Sequence, residues 1–216
     1  MPKRASSRRP RPSRPAARAP RAGTSARARR PGPVELKRRA AAVRMLLLDV
    51  DGVMTDGGII LAGRDLEVKR FDVQDGMGVT LARAAGLKVG ILTGRDCEPV
   101  RRRARELQID ELSQGHFWKE EGLDAILAKH GLSDAEVAYV GDDVLDIPVL
   151  RRVGLPIAVG NARPEVKAVA AHVTERFGGR GAVREVVDWL LALRGEKARV
   201  YEKFTGARRE GTAPEE

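Results

Sequence analysis

One stretch constrains the chain more than any other: Leu46-Leu47-Leu48-Asp49-Val50-Asp51-Gly52-Val53-Met54-Thr55-Asp56-Gly57. The apolar run from Val43 to Leu48 has the character of a buried strand. It ends abruptly in two acids at i and i+2, followed by a glycine. In a parallel sheet the ligand crevice lies beyond the carboxyl ends of the strands, so two carboxylates placed there can serve one hard cation and one reaction. Gly52 permits a sharp backbone turn beside them. A polar loop after a strand is the plainer reading, but three more segments of matching character follow in order.

Those segments sit on a regular alternation. A β-hairpin is expected over residues 57–71, where apolar stretches flank Gly63-Arg64-Asp65. Its outward apolar residues have no obvious partner in the same chain, which suggests subunit contact. A helix follows from Asp75 to about Ala85, closed by Gly86, then a strand from Leu87 to Leu92 leading into Thr93-Gly94-Arg95. A helix near Glu98–Leu107 and a short strand at Glu111-Leu112 lead to Gln114-Gly115, and a helix runs from Lys119 to His130. The strand Val137–Val140 ends in Gly141-Asp142-Asp143-Val144-Leu145-Asp146. Helices near 147–153, 165–170 and 182–193 and strands near 156–159 and 172–174 complete the pattern. Such alternation predicts an α/β fold, a three-layer Rossmann-like sandwich on a mainly parallel sheet. Three parts are expected: a basic Arg/Pro-rich tail over 1–33, a folded domain over 34–194, and a charged, frayed tail over 195–216.

Net charge is misleading here. The chain carries +10, but residues 1–33 hold eleven Lys/Arg and no acid, leaving −1 for the rest. That first segment also holds seven prolines and too little apolar surface to offset its ordering entropy, so it reads as disordered. A misassigned start, a phosphate-attracting arm and a transit peptide are its three readings, the prolines arguing against the last. A single cysteine, Cys97, excludes an internal disulfide framework and fits a reducing compartment such as the cytoplasm. No apolar run reaches the roughly 20 residues of a membrane span, and the N-terminus lacks the apolar core of a secretory signal. Scarce aromatics argue against a stacking platform for single-stranded nucleic acid.

Four strand ends thus converge on one crevice, carrying Asp49/Asp51, Thr93, Lys119 and Asp142/Asp143. Clustered carboxylates repel and raise each other's pKa, so the cluster implies a cation, and oxygen ligands suit Mg²⁺. Thr93 with the Gly94 N–H, expected at the start of a helix, can donate to a phosphate. Lys119 can offset charge on transferring oxygens. His116, His130 and His172 are scattered and read as ordinary, and the bulky His116-Phe117-Trp118 reads as packing, with a part in shaping the substrate mouth as its alternative.

This ordered set, Asp49-x-Asp51-Gly52-Val53-x-Thr55, Thr93-Gly94-Arg95, Lys119 and Gly141-Asp142-Asp143-x-x-Asp146, resembles the haloacid dehalogenase superfamily of phosphohydrolases from about Met45 to Leu193. The resemblance implies that Asp49 is a nucleophile forming an aspartyl-phosphate. It implies that Asp51 is general acid and then base. The metal would be held by Asp49, the Asp51 main-chain carbonyl and Asp142, with Asp143 and Asp146 behind them. Only 41 residues separate Asp51 from Thr93, and 25 separate Thr93 from Lys119, which leaves no room for a cap domain.

Within the superfamily the chain most resembles the 3-deoxy-D-manno-octulosonate 8-phosphate phosphatase family and related sugar-acid phosphatases. The likeness rests on Asp49–Gly57, the hairpin, Asp75-Gly76, Gln114-Gly115 with Lys119, and Gly178-Gly179-Arg180-Gly181-Ala182-Val183-Arg184-Glu185. It implies a homotetramer assembled through hairpins, with Gly179 and Arg180 touching a neighbouring subunit. It also implies phosphate and substrate contacts from Arg95, Arg103 and Lys119, with Asp75-Gly76 in the sugar-acid segment. Where that family reads close to Phe-Asn-Val-Arg-Asp-Gly-Tyr-Gly-Ile-Arg, this chain reads Phe71-Asp72-Val73-Gln74-Asp75-Gly76-Met77-Gly78-Val79-Thr80. Arginine grips carboxylates bidentately, so Gln74 and Thr80 alter the expected hold on a 2-keto acid. A nucleic-acid-end phosphatase and a catalytically silent assembly module are the rival readings.

Overall fold

The computed structural model describes residues 31–63 and 66–206. Six strands form one sheet in the order β5-β4-β1-β6-β7-β8: β1 (Met45–Leu48), β4 (Lys88–Leu92), β5 (Glu111–Ser113), β6 (Val137–Gly141), β7 (Leu155–Ala158) and β8 (His172–Val173). Every pairing in it is parallel. β2 (Ile60–Ala62) and β3 (Leu66–Val68) form a separate antiparallel hairpin. The Met45-Leu-Leu-Leu48 run is continuous rather than alternating because β1 is central and covered on both faces, and all four residues are fully buried.

Two groups of helices complete the sandwich. α2 (Val73–Ala84) packs on α7 (Ala182–Leu193), with α1 (Pro33–Ala42) and α8 (Lys197–Thr205) also against α7. α4 (Lys119–His130) packs on α5 (Ile147–Arg152), which meets α6 (Pro164–Val169). α3 (Glu98–Glu106) lies against β3. Among the described residues there is no cap: hairpin, α2 and β4 account for the chain from Asp51 to Thr93.

One of the two expected tails can be compared with the structure. The disorder expected for 1–33 falls almost wholly outside the described residues, and α1 begins at Pro33, a residue suited to a helix's first position. α1 is tied down by Arg194, whose guanidinium donates to the carbonyls of Ala40 (3.1 Å) and Val43 (2.9 Å). The tail after Gly195 is not frayed over its described part. α8 buries Val200 completely, and Tyr201 Oη bonds Arg184 at 2.6 Å and Asp188 at 2.8 Å. Its charged residues concealed a short amphipathic helix.

Candidate active site

The carboxyl ends of β1, β4 and β6 and the first turn of α4 meet in one place. The Asp49 N–H continues the ladder to the Val140 carbonyl at 3.0 Å, so the backbone fixes its side chain beside β6. Gly52 then turns at φ +89°, and a Cβ there would stand 2.1 Å from Asp142 Oδ2. Only glycine lets the first loop close onto the third.

The floor of the site is a buried ionic network. Lys119 Nζ lies 2.9 Å from Asp49 Oδ1, 2.5 Å from Asp146 Oδ1 and 3.2 Å from Tyr139 Oη. Asp146 is saturated: Oδ1 also accepts from Tyr139 (2.6 Å), and Oδ2 accepts from the N–H groups of Asp142 (2.8 Å) and Asp143 (3.1 Å). Asp142 is different, because its Oδ1 is buried with no hydrogen-bond partner. Asp49, Asp142 and Asp146 each offer an oxygen within 4.8 Å of the others. Burial, then the Asp49 and Asp146 carboxylates, push the Asp142 pKa up to about 8. Burial likewise raises Asp49 to about 6 against the pull of Lys119. Burial alone would lower Lys119, but Asp49 and Asp146 outweigh it and hold the ammonium charged. An orphaned buried oxygen among crowded acids fits a hard divalent cation. Asp49 and Asp142 have the free capacity for it, whereas Asp146 stands behind them.

Beside the floor stands a wall, and two of its four residues, Glu67 and Lys69, had not been picked out from the sequence. Lys69, with its side chain fully buried, pairs with Asp51 Oδ1 and with Glu67 Oε1 at 3.1 Å. Arg95 Nη2 meets Glu67 Oε2 at 2.8 Å, and its Nε lies 3.6 Å from Asp51 Oδ2. Glu67 and Lys69 are two apart at the end of β3, so they share a face, while Leu66 and Val68 turn outward. That spacing was the available signal.

Other expected site residues fall in varied places. Thr93 is buried and its N–H joins Ser113, but Gly94 lies in a loop before α3, not at a helix start. The helix waits for Glu98-Pro99, because the preceding Cys97 is extended. Asp75 is buried, and its carboxylate accepts from Gly181 N (3.3 Å) and Arg184 N (2.9 Å), so it caps α7 instead of opening to a ligand. Gly76 gives way to Arg103, whose Nη2 a Cβ would meet at 2.4 Å. Arg103 itself bonds Glu106 (2.7 Å) and the Asp72 carbonyl (3.3 Å). Asp143 is exposed and caps its own turn through Val144 N at 2.6 Å. Gly179 is buried against its own chain, donating to the Val53 carbonyl at 3.0 Å, while Arg180 is exposed. Asn161 ties that segment to the first loop, donating to Gly52 O (3.0 Å) and accepting from Gly178 N (2.6 Å). Phe117 and Trp118 are not packing in this chain: they stand 60% and 62% exposed, edge to face at 5.0 Å.

Fold and site together define a phosphohydrolase class built on a parallel sheet. A family model described as haloacid dehalogenase-like hydrolase matches residues 106–183. The Escherichia coli K12 3-deoxy-D-manno-octulosonate 8-phosphate phosphatase KdsC is 42% identical over 167 residues, 76% of this chain and 89% of that protein. The protein of the same name from Yersinia pestis is 43% identical over 74% of this chain and 87% of its own length. A crystal structure of the Moraxella catarrhalis 3-deoxy-D-manno-octulosonate 8-phosphate phosphatase, in complex with magnesium ion, phosphate ion and a KDO molecule, superposes with TM-score 0.76. It is 35% identical, covering 79% of this chain and 98% of that one. The chain belongs to the haloacid dehalogenase-like hydrolases and, within them, to the 3-deoxy-D-manno-octulosonate 8-phosphate phosphatase family.

Proposed function

We propose that the protein removes phosphate from 3-deoxy-D-manno-octulosonate 8-phosphate, a step in supplying a lipopolysaccharide precursor, through an aspartyl-phosphate on Asp49. The observation that carries the proposal is the floor of the site: a buried carboxylate, Asp49, 2.9 Å from a buried ammonium and beside the orphaned Asp142 oxygen. Asp49 Oδ attacks phosphorus as the sugar alkoxide leaves. Asp51, two residues on, protonates the leaving oxygen and then takes a proton from the water that cleaves the acyl-phosphate. Lys119 neutralises the nucleophile and the transferring oxygens. Asp49, Asp142 and the Asp51 carbonyl would hold a Mg²⁺, which would supply positive charge to the phosphoryl group. Thr93, Gly94 and Arg95 line the phosphate side.

The substrate's sugar end meets altered chemistry. Thr80 spends its hydroxyl on the Gly76 carbonyl at 3.3 Å. Gln74 lines a cavity of about 370 Å³ with Arg176, Arg184, Glu185 and Asp188. The protein is expected to work as a homotetramer in the cytoplasm. Supporting this, Ile60, Leu61, Leu66 and Val68 on the hairpin are 54, 75, 59 and 41% exposed, an apolar patch a monomer would not keep bare. Arg180, not Gly179, is left free to reach a neighbour. No helix among the described residues is long and apolar enough to cross a membrane.

The test is Mg²⁺-dependent phosphate release from a panel: the octulosonate ester, nine-carbon sugar-acid phosphates, hexose and pentose phosphates, and a 3′-phosphorylated oligonucleotide. Preference for the octulosonate ester is expected. Turnover of a nine-carbon ester with the octulosonate ignored would keep the chemistry and move the substrate to another sugar acid. Turnover of the oligonucleotide alone would overturn the sugar-acid reading.

A further inference from the structure

We propose that Tyr139 is a positioning residue for the reaction, orienting the Lys119 ammonium toward Asp49 through a closed hydrogen-bond ring with Asp146. This inference rests on the proposed roles of Asp49 and Lys119. Tyr139 lies in β6 between Ala138 and Val140, and all three are fully buried. Its ring fills core volume that a phenylalanine would fill equally well, so the hydroxyl calls for its own explanation.

The donor arithmetic supplies one. A lysine ammonium has three N–H donors and a phenol has one donor and acceptor capacity. Around Lys119 Nζ stand three oxygens: Asp146 Oδ1 at 2.5 Å, Asp49 Oδ1 at 2.9 Å and Tyr139 Oη at 3.2 Å. The phenol O–H has Asp146 Oδ1 at 2.6 Å, while the Leu92 carbonyl is distant at 3.5 Å. One assignment satisfies the ring. Tyr139 donates to Asp146 and accepts from Lys119, a second ammonium proton goes to Asp146, and Asp49 Oδ1, without a hydrogen bond of its own, meets the ammonium as an ion pair at 2.9 Å. Asp146 cannot rotate away, because two backbone N–H groups hold its other oxygen. Burial, with the Asp146 and Asp49 carboxylates nearby, raises the phenol's pKa well above its ordinary value, so the hydroxyl keeps its proton.

Removing the hydroxyl leaves one ammonium proton with no acceptor and frees the Lys119 head to turn about its stem. A misdirected catalytic group is felt in turnover more than in binding. In Tyr139→Phe, kcat is expected to fall about ten- to hundredfold, with KM and the half-saturating Mg²⁺ concentration within about twofold of wild type. Tyr201→Phe is the matched control for the substrate-free readout, since it removes a phenol whose two partners, Arg184 and Asp188 on α7, do not touch Lys119, Asp49 or Asp146. A second readout needs no substrate. In ¹⁵N-lysine-labelled protein, the Lys119 ammonium signal, assigned by its loss in Lys119→Met, exchanges slowly with water in wild type and Tyr201→Phe, and averages rapidly in Tyr139→Phe. An unchanged kcat in Tyr139→Phe overturns the proposal, as does a fall in kcat that merely tracks the fraction folded. Rapid averaging of the Lys119 signal in wild type also overturns it, whether or not the variant folds. Because that signal is read on resting protein, its failure is distinct from a failure of the phosphatase reading.

Discussion

The floor and the wall of the site are built from the same materials and differ in charge balance. Fully ionised, the floor sets the carboxylates of Asp49, Asp142 and Asp146 against one ammonium, Lys119, leaving two negative charges over. The wall sets Asp51 and Glu67 against Lys69 and Arg95 and closes on itself. Both lysine side chains are buried, 4% and 0% exposed, and a buried charge is tolerated only when paired. The pKa directions follow the balance. On the floor, burial and crowding raise Asp142 to about 8 and Asp49 to about 6. On the wall, burial would raise Glu67, but Lys69 and Arg95 outweigh it and lower it. An unbalanced cluster calls for a cation and does chemistry with it, whereas a balanced one holds a side chain in place.

Breaking the floor should cost most. Lys119→Ala removes the charge that faces Asp49 and leaves Asp146 Oδ1 with Tyr139 as its remaining partner, and kcat is expected to fall about 10³-fold. A loss under tenfold in steady-state turnover would erase the distinction between floor and wall. Lys69→Met tests the wall: Asp51 loses its buried partner and its aim, and kcat/KM should drop about 10²-fold, with Arg95 still tethering it. A Lys69→Met effect as large as that of Lys119→Ala would mean that Lys69 itself takes a direct part in the chemistry rather than aiming Asp51.

The smallest effect sharpens the charge argument by pH. Asp142 and Asp49 are raised in the folded state, so between the ordinary carboxylate value of 3.8 and about 8 the metal-free protein holds protons the unfolded chain has released. Their contribution therefore lowers stability as pH rises through that window. A divalent cation displaces those protons, so its stabilisation grows with pH. Saturating Mg²⁺ should raise Tm about 5 °C more at about pH 8 than at about pH 5.5. An equal shift at both pH values would remove the floor's unbalanced charge as the reason for metal binding.

The floor was legible in the sequence because its residues sit at strand ends, where an apolar run stops on an acid or leads into a threonine. Asp49, Thr93 and Asp142 could be placed that way, as could Asp51 on the wall, and Lys119 by the start of a helical pattern. The wall's Glu67 and Lys69 were not, because Glu67 lies in a three-residue strand and Lys69 just past it, too short a run for its alternation to stand out. Tyr139 hid in an apolar strand for a related reason: periodicity reports burial, not what a buried hydroxyl touches. Asp75 and Gly76 were read as ligand residues on resemblance, but the carboxylate caps α7 and the glycine makes room for Arg103. α8 was missed because Val200 and Tyr201 are thinly spread among lysines, arginine and glutamate, and it is α7 and α2 that supply the surface that orders them.

The central claim is that Asp49 carries the phosphoryl group. Rapid acid quench of the Mg²⁺-loaded protein during turnover of a ³²P-labelled ester, followed by peptide mapping, tests it directly, with Asp49→Asn run in parallel. Label is expected on the peptide containing Asp49, none in Asp49→Asn, and turnover in that variant lower by about 10⁴-fold or more. Turnover by Asp49→Asn at a rate near wild type, with no label on that peptide in either protein, would contradict it.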